Sequence, residues 1–219
     1  MKRVIALHTV KSVYESFSVS LPESLPPDTI IDHMVDEFLA NDPARHQGAF
    51  SKANLARFHA LMMQAQATHP DVILVTCSTL SPYVDGCRAF LEVPVIAIDD
   101  AMCESAVARG SRICVLATAA SALDPTVRKI HLVAERAGAE VMVQGICDPE
   151  AIAALKRGEK EVHDARLLSL SRQGSGFDVI VLAQASMAHM REAIEASRGI
   201  PTLSSPQLCV ASVVRALEA

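Results

Sequence analysis

Two stretches of the chain repeat each other. Asp71-Val-Ile-Leu-Val-Thr-Cys77 and Asp178-Val-Ile-Val-Leu-Ala-Gln184 stand 107 residues apart (71 to 178), and Val93-Pro94 keeps that offset with Ile200-Pro201. The opening run nearly keeps it, since Arg3-Val-Ile-Ala-Leu-His-Thr9 matches Arg112-Ile-Cys-Val-Leu-Ala-Thr118 at an offset of 109 (3 to 112). Three matches in the same order along the chain are the mark of a structural unit used twice. Each run is short, continuously apolar and rich in Val and Ile. That is the composition of a strand buried on both faces, as in a parallel sheet covered by helices.

The spaces between such runs fix the fold class. Strands are expected at 3–7, 71–76, 94–98, 112–117, 140–144 and 178–183. Helices rich in Ala, Leu, Glu and Arg are expected at 28–40, 51–68, 80–91, 101–109, 125–137, 149–157, 159–172 and 206–218. Strand alternating with helix makes an α/β fold. We expect two pseudo-symmetric parallel-sheet α/β halves, residues 1–97 and 98–205, with a C-terminal helix over 206–219 returning to the first. Ligands of open parallel sheets bind beyond the carboxyl ends of the strands. The loops 8–12, 77–82, 118–121 and 184–189 are therefore expected to surround an active site in the cleft between the halves.

Composition removes several function classes. The net charge is −5 with no run of basic residues, which argues against a nucleic-acid partner. Aromatics are 4% with no Trp, so bases have little to stack on. The longest apolar stretches fall far short of the roughly 20 residues of a membrane helix. The run after Met1-Lys-Arg is stopped by His8 and Lys11, too soon for a signal-peptide core, so a cytoplasmic location is expected. Six cysteines (77, 87, 103, 114, 147 and 209) form no CxxC pair and are read as thiols, most of them inert. The histidines at 33, 46, 59, 69, 131 and 163 show no HxH or HExxH spacing, so no metal is expected. His163 and Asp164 are sequence neighbours, and adjacent residues point to different sides of a helix, so they are not expected to act together. No Gly-rich phosphate loop is present, and no cofactor is expected.

One thiol differs from the rest. Cys77 ends an apolar strand and precedes Ser78-Thr-Leu-Ser-Pro82, a turn into a helix with Pro near its first position. Free N–H groups and the dipole at a helix start favour a thiolate. The same groups, with the hydroxyls of Ser78 and Thr79, suit a carboxylate. A buried structural cysteine at a strand end is the competing reading.

Cys77-Ser-Thr-Leu-Ser-Pro, Val93-Pro-Val-Ile-Ala-Ile-Asp-Asp-Ala-Met, Val115-Leu-Ala-Thr-Ala-Ala-Ser-Ala-Leu-Asp-Pro-Thr126 and Asp178-Val-Ile-Val-Leu-Ala together resemble the aspartate/glutamate/hydantoin racemase superfamily. The resemblance covers most of the chain. It implies two pseudo-symmetric halves and cofactor-independent proton transfer at a carbon beside a carboxylate or carbonyl, in an enzyme that is commonly a homo-oligomer. It further implies two catalytic cysteines, a thiolate that removes the α-proton and a thiol that returns one. Cys77 matches the first. Gln184 stands at the second, and an amide donates hydrogen bonds to an oxyanion but does not exchange a proton.

Three accounts of Gln184 follow. Another acid, such as His189, Ser186 or His8, supplies the second proton. Alternatively, a single cysteine protonates a carbanion made by decarboxylation, as in the related arylmalonate decarboxylases. In the third, the chain binds a carboxylate without turning it over. Thr118 and Ser121 match hydroxyl positions that hold the substrate carboxylate in the family, which more often has Thr at the second; helix capping is the alternative. Ser186 follows Gln184 in a similar place. His8 is a candidate acid or carboxylate ligand, and Lys11 beside it is either a ligand or a solvated charge.

Overall fold

The repeat appears as two four-stranded sheets of one topology. A computed structural model describes residues 1–45 and 50–219, and His46 lies outside them. The chain divides into two compact units, 1–98 with 207–219, and 99–206.

The first unit runs β1 (Arg3–His8), α1 (Lys11–Ser24), β2 (Ile30–Val35), α2 (Glu37–Arg45), α3 (Lys52–Gln66), β3 (Val72–Val75), α4 (Ser81–Cys87) and β4 (Val95–Ala97). Its sheet has the order β2-β1-β3-β4, all parallel. The second unit runs α5 (Asp100–Arg109), β5 (Arg112–Ala117), α6 (Ala120–Ala137), β6 (Met142–Cys147), α7 (Pro149–Lys156), α8 (Lys160–Ser171), β7 (Val179–Leu182), α9 (Arg191–Arg198) and β8 (Thr202–Ser204). Its order is β6-β5-β7-β8, again all parallel. The last helix, α10 (Ser205–Glu218), crosses the unit boundary, and from Gln207 onward it clusters with the first unit. Among the described residues no helix is long and apolar enough to cross a membrane.

The chain reverses its direction of travel across the sheet between the first and third strands of each unit. The carboxyl ends of β1 and β3, and of β5 and β7, are therefore switch points, the places where open α/β sheets hold ligands. The central strands have the burial that the apolar runs predicted, with Val72–Val75 and Val179–Leu182 buried throughout. One core packs Ile5, Leu7, Ile73 and Val75 against Phe58 and Met62 of α3. The other packs Leu116, Ile180 and Leu182 against Leu167 of α8 and Ile194 of α9.

The repeated aspartate has a mechanical role. Asp71 accepts a hydrogen bond from the Arg3 amide at 2.7 Å, and Asp178 accepts from the amides of Ser111 and Arg112 at 2.9 and 2.8 Å. Each carboxylate thus ties the start of the third strand to the start of the first. The Arg3 amide bond also holds the Asp71 carboxyl below its ordinary range.

Three expectations are corrected. The 28–40 segment is a strand, β2, followed by a turn into α2. It is an edge strand with one exposed and four half-buried positions among its first five, so it lacks the continuous apolar run of a central strand. Helices α1 and α9 had not been expected; α1 has many serines and an internal Pro22 but buries Phe17 and Leu21 at helical spacing. Helix α6 begins at Ala120 rather than at 125, carrying Pro125 inside it, so the Ser121 carbonyl receives no amide from that residue.

Two glycines test this packing. A Cβ on Gly110 would lie 2.3 Å from the Asp178 Cβ, whereas one on Gly86 in α4 meets nothing within 4 Å. Gly110→Ala is expected to cost about 1–3 kcal/mol in urea unfolding. Gly86→Ala is expected to raise stability by about 0.5–1 kcal/mol.

Candidate active site

At the first switch point, Cys77 directly follows the amide of Thr76, which donates to the Leu7 carbonyl at 3.0 Å. Cys77 caps a three-residue 3-10 helix, Ser78–Leu80, which runs into α4 with Pro82 in its first turn. The thiol is half-buried and makes no hydrogen bond to any described residue, and the same holds for the hydroxyls of Ser78 and Thr79. None of the six cysteines is in a disulfide. Burial pushes the Cys87 and Cys114 thiols up to about 11 and raises those of Cys103 and Cys147, which suits inert residues.

His8 ends β1 and is fully buried. Its Nδ1 lies 2.9 Å from the Thr76 hydroxyl, and its Nε2 lies 2.9 Å from His33 Nδ1. The tautomers follow from the partners. Thr76 Oγ1 spends its one proton on the Leu7 carbonyl at 3.1 Å, so it accepts from His8 Nδ1–H. His8 Nε2 is then an acceptor, and His33 Nδ1–H donates to it. Tyr14 meets both rings edge-on, with centroids at 5.6 and 5.2 Å. Burial, and then the neighbouring His33 charge, push the His8 pKa down to about 4. Burial also lowers that of His33, against the opposing charge of Asp32. Both nitrogens of His8 are committed, so it braces the Cys77 turn. His33 and Thr76, which the sequence reading missed, carry this relay. Lys11 lies in the first turn of α1, exposed and 3.7 Å from Glu15.

The second switch point repeats the geometry with different chemistry. The Ala183 amide donates to Leu116 at 2.9 Å, as Thr76 does to Leu7. Gln184 caps a 3-10 helix, Ala185–Met190, with φ −126° and ψ 138°, close to the −119° and 111° of Cys77. Gln184 Oε1 accepts from the Thr118 amide at 2.6 Å and from the Thr118 hydroxyl at 3.0 Å. The Thr118 donors proposed for a carboxylate are thus holding Gln184. Both go to Oε1, which assigns the carboxamide's orientation and leaves its two N–H groups without a partner among the described residues. The N-cap of α6 is Ala119, without a side-chain bond, so neither Thr118 nor Ser121 caps the helix. Ser121 and Ser186 are exposed.

His189 is not free to act as an acid. Its Nδ1 lies 3.0 Å from the Ser186 carbonyl, and its Nε2 lies 2.8 Å from Asp164 Oδ1. His163 Nδ1 reaches the same oxygen at 2.8 Å, which corrects the expectation that His163 and Asp164 point apart. Lys160 Nζ holds Asp164 Oδ2 at 2.8 Å. Partial burial alone would raise the Asp164 carboxyl, but the hydrogen bonds from Lys160, His163 and His189 together hold it well below the carboxylate range.

Comparison with known proteins adds the family. The Asp/Glu/Hydantoin racemase family model matches residues 3–213. None of the curated proteins matches the chain in sequence. Among solved structures, a glutamate racemase isoform from Bacillus anthracis has 16% identity and a TM-score of 0.73, the match covering 99% of this chain and 82% of that one. The aspartate racemase of Picrophilus torridus has 13% identity and a TM-score of 0.70, covering 100% and 95%. An allantoin racemase from Pseudomonas fluorescens has 21% identity and a TM-score of 0.61, covering 97% and 91%. At these identities the likeness is one of fold.

The His8 relay predicts a pH dependence. Below about pH 6.5 the unfolded chain takes up a proton that folded His8 refuses until about pH 4. Its contribution to stability therefore falls with pH across that window, by about 1.4 kcal/mol per unit. His8→Asn keeps a donor for Thr76 and removes the titration. Urea unfolding at about pH 7 and about pH 5 should show a smaller loss in the variant than in the wild type.

Proposed function

The chain belongs to the Asp/Glu/hydantoin racemase family, and from that premise we propose a cofactor-independent isomerase of the racemase or epimerase type. Cys77 carries the proton transfer, at the carbon next to the carboxylate of a small amino acid or related acid. The observation that carries this reading is the equivalence of Cys77 and Gln184. Each follows the third strand of its sheet, behind an amide bonded to the first strand, and each caps a 3-10 helix. The Cys77 thiol is half-buried and has no hydrogen bond to a described residue to break.

The roles follow from the unused donors. The Cys77 thiolate removes the α-proton, with the negative charge passing into the adjacent carboxylate, and the Ser186 hydroxyl, the expected second acid that makes no hydrogen bond to a described residue, returns a proton from the opposite face. The hydroxyls of Ser78 and Thr79 receive a carboxylate. Gln184, fixed through its oxygen by Thr118, turns its N–H groups to a developing oxyanion. Ser121 and Ser186 complete the hydroxyl set, and His8 is a positioning residue behind Thr76 and Cys77.

A second reading is a one-thiol lyase that protonates the carbanion left by decarboxylation of a malonate-type acid. Gln184 favours it, because an amide does not return a proton from the opposite face.

Incubation in D₂O with both enantiomers of small amino acids and hydantoins, and with substituted malonates, separates the readings. Racemisation with α-deuterium incorporation supports the isomerase, carbon dioxide release supports the lyase, and neither leaves a binding protein. Cys77→Ala is expected to lower proton exchange by about 10²–10⁴-fold. Gln184→Cys is expected to create or increase racemisation. Normal exchange in Cys77→Ala would overturn the assignment.

A further inference from the structure

One side-chain cluster that the proposed reaction does not use is His163, Asp164 and His189. One ligand atom of each lies within 4.8 Å of the others. Two imidazole nitrogens converge on a single carboxylate oxygen, each at 2.8 Å, from α8 and from the 3-10 turn after β7. We propose that these three side chains form a binding site for a divalent transition cation such as Zn²⁺ or Co²⁺, held by one nitrogen of each histidine and by Asp164 Oδ1. Two neutral imidazoles and one carboxylate suit borderline ions of this class better than Mg²⁺ or Ca²⁺, which prefer oxygen ligands.

Three features around the cluster support a cation rather than a hydrogen-bonded triad alone. The two nitrogens already meet at one oxygen, and the cation takes the place of what hydrogen bonding holds between them. Metal–ligand bonds near 2.1 Å in a tetrahedral site set ligand atoms about 3.4 Å apart, so the 2.8 Å contacts open by only about 0.6 Å. The second nitrogen of His189 already donates to the Ser186 carbonyl at 3.0 Å. Such an outer bond fixes the tautomer and leaves Nε2 as the ligand, the arrangement that orients metal-binding histidines.

The carboxylate is prepared in the same way. Lys160 holds Oδ2, the oxygen that the cation does not need, from an exposed position. His163 is fully buried, and its Nε2 has no partner among the described residues, so Nδ1 is the polar attachment of its ring. Asp164 and His189 remain reachable from solvent. Three protein ligands leave one position for water. The ion would fasten α8 to the turn that carries Gln184 and Ser186, without being a reactant in the proposed proton transfer.

Titration of the metal-free full-length protein with Co²⁺, followed by visible absorption and by calorimetry with Zn²⁺, tests the site without any substrate. One equivalent is expected to bind with a tetrahedral d–d spectrum that lacks a thiolate charge-transfer band. His189→Asn keeps a donor for the Ser186 carbonyl and removes the ligand nitrogen. Asp164→Asn removes the charge. Each is expected to weaken binding at least about tenfold while leaving the circular dichroism unchanged. If Asp164→Asn loses its fold, His189→Asn alone decides. Absence of saturable binding, a thiolate band, or wild-type affinity in His189→Asn would overturn the site.

Discussion

The hydrogen bond from the end of the third strand to the first strand sets the register on which each site depends. Thr76 N–H to Leu7 C=O and Ala183 N–H to Leu116 C=O are the last rungs of parallel ladders whose other end is tied by Asp71 or Asp178. Because side chains alternate along a strand, a slip of one residue would turn Cys77 or Gln184 to the other face of its sheet. With both ends of the ladder fixed, the residue after the third strand has one place to go. That place is the cap of a 3-10 helix at the switch point.

The two units use the same backbone and satisfy it differently. In the first, a buried neutral histidine and a threonine hydroxyl fill the space behind the turn, and the thiol of Cys77 stays uncommitted. In the second, Thr118 turns its amide and hydroxyl to Gln184, so the side chain is held while its N–H groups remain available. One backbone position thus carries a thiol in one unit and a fixed carboxamide in the other. Polar side chains at a strand end cost little when each donor finds an acceptor. The buried donors of the two arrangements, on His8 and on Thr118, meet that condition by different means.

Central strands were legible because a strand flanked on both sides and covered on both faces has to be apolar throughout. Edge strands were less so, although β4 falls within the expected 94–98. β2 is half-exposed and lies where a helix is expected, and β6 starts two residues later than expected, with Met142 on the surface. Helix α1 hides behind serines and Pro22, although Val13, Phe17, Leu21 and Leu25 recur at every fourth position. Among the site residues, Cys77 stood out by its place after an apolar run. His33 and Thr76 did not, since their partner His8 is distant in sequence from both.

By itself the sequence determined the repeat, the α/β class and the positions of Cys77 and Gln184, because burial of parallel strands imposes an apolar pattern that survives in one dimension. Only the tertiary structure decided which polar groups are spoken for. It committed His8 to Thr76 and His33, gave the Thr118 donors to Gln184, and drew His163, Asp164 and His189 together from a helix and a turn 25 residues apart. A hydrogen bond needs its partners within about 3 Å and well aligned, a condition on three-dimensional distance that residue spacing does not encode.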